Sequence, residues 1–274
     1  MFLKINHVTE YRYEEPVVFS LQRLRLTPVN SAGQTVVDWS VAIEGAKNEV
    51  TYSDQYENLV RLVSVDGEQS AMRLIATGTV ETRDTDGIFG PHSSDCPLWL
   101  FLRETPLTEI GKHTRAIVSS LEGDSDLARL HDLMGRLYEK MTFKPGITST
   151  TTSAEEALEH EAGVCQDYAH IVLACARQMK LPARYVSGYL FMEGTTDQSA
   201  SHAWAEIYLE GLGWVGFDAA NKVCPDERYV RIACGLDYTD AAPVVGMTLG
   251  GGPGQMSVNL QVISQNQSQS QSQS

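Results

Sequence analysis

The stretch Gly163-Val164-Cys165-Gln166-Asp167-Tyr168-Ala169-His170, continued through Lys180, decides how the rest of the chain is read. Glu161-Ala162-Gly163-Val164 is a break. A helical segment then runs from Cys165 to Lys180 and stops before Leu181-Pro182, where proline turns the preceding residue away from helix. Cys165 is therefore expected at a helix N-terminus. Unpaired backbone N–H groups and the helix dipole there favour the thiolate, which is the attacking form of a cysteine. The same N–H groups can serve a developing oxyanion. Asp167, two residues on, works mildly against the thiolate, so a base is required as well.

Three strands are expected next: Ala183–Leu190, Ser201–Leu209 and Trp214–Ala219, the last two joined by the tight turn Glu210-Gly211-Leu212-Gly213. Period-two geometry puts His202, Trp204, Glu206 and Tyr208 on one face, and Ala203, Ala205, Ile207 and Leu209 on the other. The odd face reads as core, and the polar, aromatic even face as pointing away from the packed interior. In the following strand Val215 and Phe217 alternate with Trp214, Gly216 and Asp218, so a hairpin brings His202 and Asp218 to the same end of adjacent strands. A carboxylate on one imidazole nitrogen fixes the tautomer while the other nitrogen faces the thiol, the logic of a Cys-His-Asp triad. Taken singly, a helix-start Cys, a strand His and an Asp before a turn each have a commoner structural explanation. Their order favours the triad.

Towards the N-terminus, Leu127, Leu130, Leu133, Leu137 and Met141 recur at helical steps behind the candidate caps Asp124, Ser125 and Asp126, and Ser153-Ala154-Glu155-Glu156 has the form of a capping box. Residues 2 to about 83 alternate as strands, in Leu24 and Leu26, in Val37, Trp39, Val41 and Ile43, and in Asn58–Val65 and Arg73–Thr82. The turn-prone clusters Asn30-Ser31-Ala32-Gly33 and Asp66-Gly67-Glu68 separate them. The expected architecture is α+β: an antiparallel β-sandwich over 1–100, a catalytic core over 101–264 and a disordered Gln/Ser tail over 265–274.

An apolar fraction of 42% supports a substantial core, and a net charge of −14 argues against nucleic acid and anionic membranes, which repel an acidic protein. No secretion signal and no run of roughly 18 apolar residues is visible, so a cytoplasmic protein is expected. The five cysteines, without a Cys-x-x-Cys pair, read as free thiols, and neither structural zinc nor any other metal or cofactor is expected. His170 lies about 140° around the helix from Cys165 at 100° per residue, so a structural role suits it better than that of base. Cys175 reads as packing, while Cys224 and Cys234 fall in or beside loops.

The Gly163–His170 stretch, Pro182-Ala183-Arg184-Tyr185-Val186-Ser187-Gly188-Tyr189-Leu190, Ser201-His202-Ala203-Trp204-Ala205-Glu206 and Gly213-Trp214-Val215-Gly216-Phe217-Asp218 together closely resemble the bacterial transglutaminase-like family. His7-Val8-Thr9-Glu10-Tyr11-Arg12-Tyr13 and Leu24-Arg25-Leu26-Thr27-Pro28 resemble the β-rich domain that precedes the core in that family. The resemblance implies a papain-like core, with Cys165, His202 and Asp218 as the triad. It also hints at peptide-bond processing beside peptide-ligating partner enzymes. Two departures stand out: Asp218-Ala219-Ala220-Asn221 where relatives usually read Asp-Pro-Thr-Asn, expected to change turn rigidity, and Gly235-Leu236-Asp237-Tyr238 where they tend to carry Gly-Arg-Asp-Tyr, expected to remove a charge near the site. Trp204, Trp214 and Tyr238 are the candidate substrate-binding residues, and the loop Phe191–Ala200 a candidate gate. The expected activity is hydrolysis of a peptide or amide bond through a thioester on Cys165. The alternatives are transfer of the acyl group to an amine, and a non-catalytic peptide-binding or assembly module.

Overall fold

The computed structural model describes residues 1–198, 200–252 and 254–264; the Gln/Ser tail lies outside them. The strands are β1 (Phe2–Thr27), β2 (Gln34–Glu44), β3 (Lys47–Ser53), β4 (Leu59–Thr82), β5 (Ile88–Gly90), β6 (Thr142–Phe143), β7 (Ala162–Gly163), β8 (Ala183–Leu190), β9 (Asp197–Gln198), β10 (His202–Leu209), β11 (Gly213–Phe217), β12 (Tyr229–Gly235), β13 (Val244–Gly250) and β14 (Gly254–Ser264). The helices are α1 (Lys112–Ser120), α2 (Asp126–Lys140), α3 (Ala154–His160), α4 (Cys165–Gln178) and α5 (Tyr238–Ala241).

The sandwich is one seven-stranded sheet that curls on itself, and it takes β9, β13 and β14 from the 101–264 stretch expected to form the core, so it is not confined to residues 1–100. Its long strands β1 and β4 pair antiparallel from Phe2 opposite Glu81 to Thr27 opposite Leu59, with register shifts between Arg12 and Phe19 where both strands bend. Bulges of this kind let one strand pass from one layer to the other. Beyond the bend β2 and β14 flank one half, while β3 and β13 flank the other. Leu24 and Val63 from one half pack with Leu74, Ala76 and Val41 from the other in a single cluster. Asp66-Gly67-Glu68 is not a turn but part of β4 at this bend, with Gly67 at φ 39°. A turn-prone cluster that sequence reads as a chain reversal here stays within the strand.

The papain-like core lays α4 across a five-stranded antiparallel sheet of order β12-β8-β10-β11-β5. Its helix starts are set by the caps that the sequence suggests. Ser125 Oγ accepts from Ala128 N at the start of α2, and Ser153 and Glu156 exchange hydrogen bonds at the start of α3. Glu161 in the left-handed region ends α3 and opens the short parallel pairing of β6 with β7 that leads into Cys165. Ile171, Leu173, Ala174 and Cys175 on α4 pack with Ala203, Ala205 and Ile207 on β10, so the odd face of β10 is core.

The even face of β10 is buried too, a departure from the outward-facing surface expected of it. Trp204 and Glu206 are enclosed beneath the connector and the sandwich, together with Tyr56, Phe101 and Trp214. Glu206 tolerates burial because the Arg184 guanidinium reaches its Oε2 at 2.6 Å, and Arg184 stacks 4.0 Å from the centre of the Trp214 ring.

Two buried amides join the sandwich to the exposed edge of β12. Gln34 donates to Arg231 O and accepts from Arg231 N, both at 2.8 Å, and Asn58 does the same with Cys234 O at 2.7 Å and Cys234 N at 2.8 Å. Each side chain takes the place of a neighbouring strand, so the edge is covered without adding one. No helix among the described residues is long and apolar enough to cross a membrane.

Candidate active site

Cys165 stands at the first position of α4 and is partly exposed. Val164 N–H is taken by Asp167 Oδ2 at 2.7 Å, and that oxygen also accepts from Thr148 Oγ1 at 2.7 Å. A Cβ on Gly163 would lie 2.5 Å from the same oxygen, so only glycine lets the chain pass there. Burial pushes the Asp167 carboxyl up, against the pull of the Val164 and Thr148 donors. The sequence expectation that Asp167 opposes the thiolate is softened to that extent, because the carboxyl is tied back to the loop ahead of the helix.

His202 opens β10, and Asp218 stands one position beyond Phe217, which pairs with Ala205. That register brings the two side chains together: His202 Nε2 lies 2.6 Å from Asp218 Oδ2. Cys165 and His202 face the same cavity, and with Nε2 given to the carboxylate, Nδ1 is the nitrogen left for the sulfur. Burial alone would lower the His202 pKa, but the hydrogen bond to Asp218 and the proximity of Cys165 and the Asp218 carboxylate outweigh it and raise the ring to about 10.

Asp218 is itself heavily supported. Its Oδ2 accepts from Tyr229 OH at 2.8 Å and Asn221 Nδ2 at 2.7 Å, and its Oδ1 from the backbone N–H of Ala220 and Asn221 at 3.1 and 3.3 Å. Although burial favours the neutral acid, these donors and His202 keep the carboxyl below its ordinary range. The turn donors are the backbone groups of positions 220 and 221, and with alanine at 219 this cap is whole.

A cavity of about 970 Å³ opens on Cys165 and His202. Tyr138, Phe143, Tyr168, Tyr185 and Tyr238 give it aromatic walls, and Met192, Thr195, Asp197, Gln198 and Ala200 form one side. Of the three candidate substrate-binding residues, Tyr238 lines this cavity, whereas Trp204 and Trp214 are buried in the second core cluster. Leu236 is buried in that cluster as well, and its carbonyl accepts from Arg177. Its hydrocarbon packs inside the protein and does not line the cavity. His170 is fully buried and accepts from Tyr238 N at 3.2 Å, a structural position. Among the described residues no group of three or more His, Cys, Asp or Glu is placed to hold a metal ion.

Residues 114–219, which contain Cys165, His202 and Asp218, match the transglutaminase-like superfamily, and residues 3–81 match the bacterial transglutaminase-like N-terminal region. The chain belongs to the transglutaminase-like superfamily. Among relatives, an uncharacterised protein of Mycobacterium leprae is 28% identical over 274 residues, covering 95% of this chain and 98% of that protein. An uncharacterised protein of Mycobacterium tuberculosis is 29% identical over 272 residues, covering 89% of this chain and 86% of that one. A solved structure from Cytophaga hutchinsonii, described as a candidate cysteine protease, superposes with a TM-score of 0.77 over 97% of this chain and 91% of its own, at 23% identity. It shares the fold from sandwich to core.

The histidines of this transglutaminase-like chain predict a stability maximum. Burial lowers His7 to about 4 and His170 to about 3, so each contributes stability above the ordinary histidine value, near 6.5, that is lost as pH falls towards the folded value. His202 is raised to about 10, so its contribution is complete below about 6.5 and lost as pH rises towards 10. Urea unfolding is expected to show greatest stability near pH 6.5, with His202→Gln flattening the alkaline limb and leaving the acid limb in place.

Proposed function

We propose that the protein is a cysteine-dependent acyl-transfer enzyme that hydrolyses a peptide or amide bond through a thioester on Cys165. The observation that carries this reading is the Asp218–His202 hydrogen bond beside a thiol at a helix N-terminus, with the ring and the thiol opening on one cavity of peptide size.

The Cys165 thiolate attacks the carbonyl carbon, and the first N–H groups of α4 face the oxyanion. Collapse of the tetrahedral intermediate breaks the C–N bond as His202 gives its Nδ1 proton to the leaving amine. A water then yields its proton to His202 as its oxygen attacks the thioester, the C–S bond breaks, and the carboxylic product leaves. Asp218 holds the ring and remains ionised throughout. Tyr229 and Asn221 are positioning residues, acting through Asp218. The five free cysteines suit a reducing, cytoplasmic setting.

An amine could take the place of water, making the protein a transglutaminase. Incubation with glutamine-containing and other short peptides, with and without a primary amine, followed by product mass, separates these outcomes. Cleaved or deamidated products that persist when the amine is present are expected. Products formed only as amine adducts would replace hydrolysis with transamidation.

A further inference from the structure

We propose that Asp197 sets the charge preference of the Cys165 cavity, favouring substrates that carry a cationic group and disfavouring anionic ones. This rests on the reading of Cys165 as the nucleophile. Among the described residues that line the cavity there is no lysine or arginine, and Asp197 is the one carboxylate. The reacting pair does not alter this balance, since a thiolate on Cys165 and an imidazolium on His202 cancel. Asp197 therefore leaves the cavity with a net negative charge. Lys222 sits outside the lining, 5.7 Å over the Tyr138 ring, and its charge is answered by Glu139 at 3.3 Å.

The carboxylate is held in place by a part of the fold remote in sequence. Residues Asp197 and Gln198 form β9, which pairs antiparallel with Gln261 and Leu260 of β14 at the edge of the sandwich. Gln261 Nε2 donates to Asp197 Oδ1 at 2.8 Å, and Gln198 Nε2 reaches back to Leu190 O at 2.9 Å. The loop that forms one cavity wall is thus fixed at both the sandwich and the end of β8. An amide, unlike an ammonium, engages Asp197 without neutralising its charge. The remaining walls suit the same ligand: the aromatic rings of Tyr168, Tyr185 and Tyr238 can attract a cation, and Met141, Leu190 and Met192 accept the hydrocarbon that carries it. A lysine-like or arginine-like side chain, or an amine on an aliphatic stem, meets these requirements. The net charge of −14 draws such groups in from solution.

Cys165 itself can report the preference. Three methanethiosulfonates of different charge, carrying the cationic aminoethyl, anionic sulfonatoethyl and neutral methyl groups, each form a mixed disulfide with a thiolate and release methanesulfinate. Rates at the Cys165 peptide, followed by mass and divided by the rates with a small free thiol, are expected to favour the cationic reagent over the anionic one by about tenfold at low ionic strength. Asp197→Asn is expected to reduce that ratio by about threefold or more, with the methyl reagent unaffected. Glu193→Gln, which removes a charge from the same loop outside the cavity wall, is expected to leave the ratio unchanged. A ratio near one in the wild type, or one that survives Asp197→Asn, overturns the charge assignment. Failure of all three reagents to modify Cys165 overturns the nucleophile reading itself.

Discussion

Replacing His202 by alanine is expected to slow the alkylation of Cys165 by iodoacetamide at pH 7 by about a hundredfold, and to lower any acyl-transfer turnover by about 10⁴-fold or more. The His202 pKa is raised to about 10, so at pH 7 the ring places a positive charge beside Cys165, which favours the attacking form of the thiol. The advantage over the variant should disappear above about pH 10, where the ring loses its proton. Asp218→Asn is expected to fall between the two proteins. An amide at 218 must turn its NH₂ either towards the N–H groups of Ala220 and Asn221 or towards His202, Tyr229 and the Asn221 amide, and each orientation sets donor against donor. A Cys165 alkylated equally fast with and without His202 would mark the protein as a non-catalytic binding module.

What the sequence allowed to be read was local. The helix at Cys165, the strand Ala183–Leu190 and the hairpin of β10 with β11 follow from periodicity, a proline stop and a four-residue turn, all within some fifty-five residues. Parity along that hairpin was enough to join His202 to Asp218, because register in a tight hairpin is set by its turn. Tyr229 was not legible. It reaches Asp218 from β12, whose partner is β8, and nothing near residue 229 announces that pairing.

The same limit governs the rest of the site. Asp197 acquires its place by pairing with β14, sixty-four positions along the chain, and β14 in turn pairs with β1 from Leu3 to Tyr13. Long-range pairing of this kind leaves no periodic signature of its own. The opposite error arose at Trp204 and Glu206. An aromatic and a carboxylate on an alternating strand suggested an open surface, because a single sequence does not reveal that the Arg184 guanidinium waits above the carboxylate. Binary patterning identifies one buried face of a strand more readily than two.

Arg177→Met is expected to be the most damaging single change to stability, costing about 3–5 kcal/mol. Arg177 is fully buried near the end of α4, and its guanidinium donates to Phe101 O at 3.2 Å, Ala183 O at 2.9 Å, Leu236 O at 2.6 Å and the Thr108 hydroxyl. These acceptors come from the connector, the start of β8 and the turn before α5, three segments that share no direct sequence continuity. Burial lowers the arginine to about 10, with Asp237 opposing the shift, so the guanidinium remains charged at neutral pH. Methionine fills much of the volume but leaves three carbonyls buried without donors. Lysine offers a single tetrahedral centre where a planar fork now spans four acceptors, so Arg177→Lys should recover only part of the loss. Against a typical net stability of about 5–15 kcal/mol, the methionine variant should unfold at a far lower urea midpoint than the wild type. The effect on the site should follow from the same contacts, because the Leu236 carbonyl leads directly into Asp237 and Tyr238, and Tyr238 is a wall of the Cys165 cavity. A midpoint within about 0.3 M of the wild type, taking an ordinary urea dependence, would mean that water can replace the guanidinium at all four acceptors.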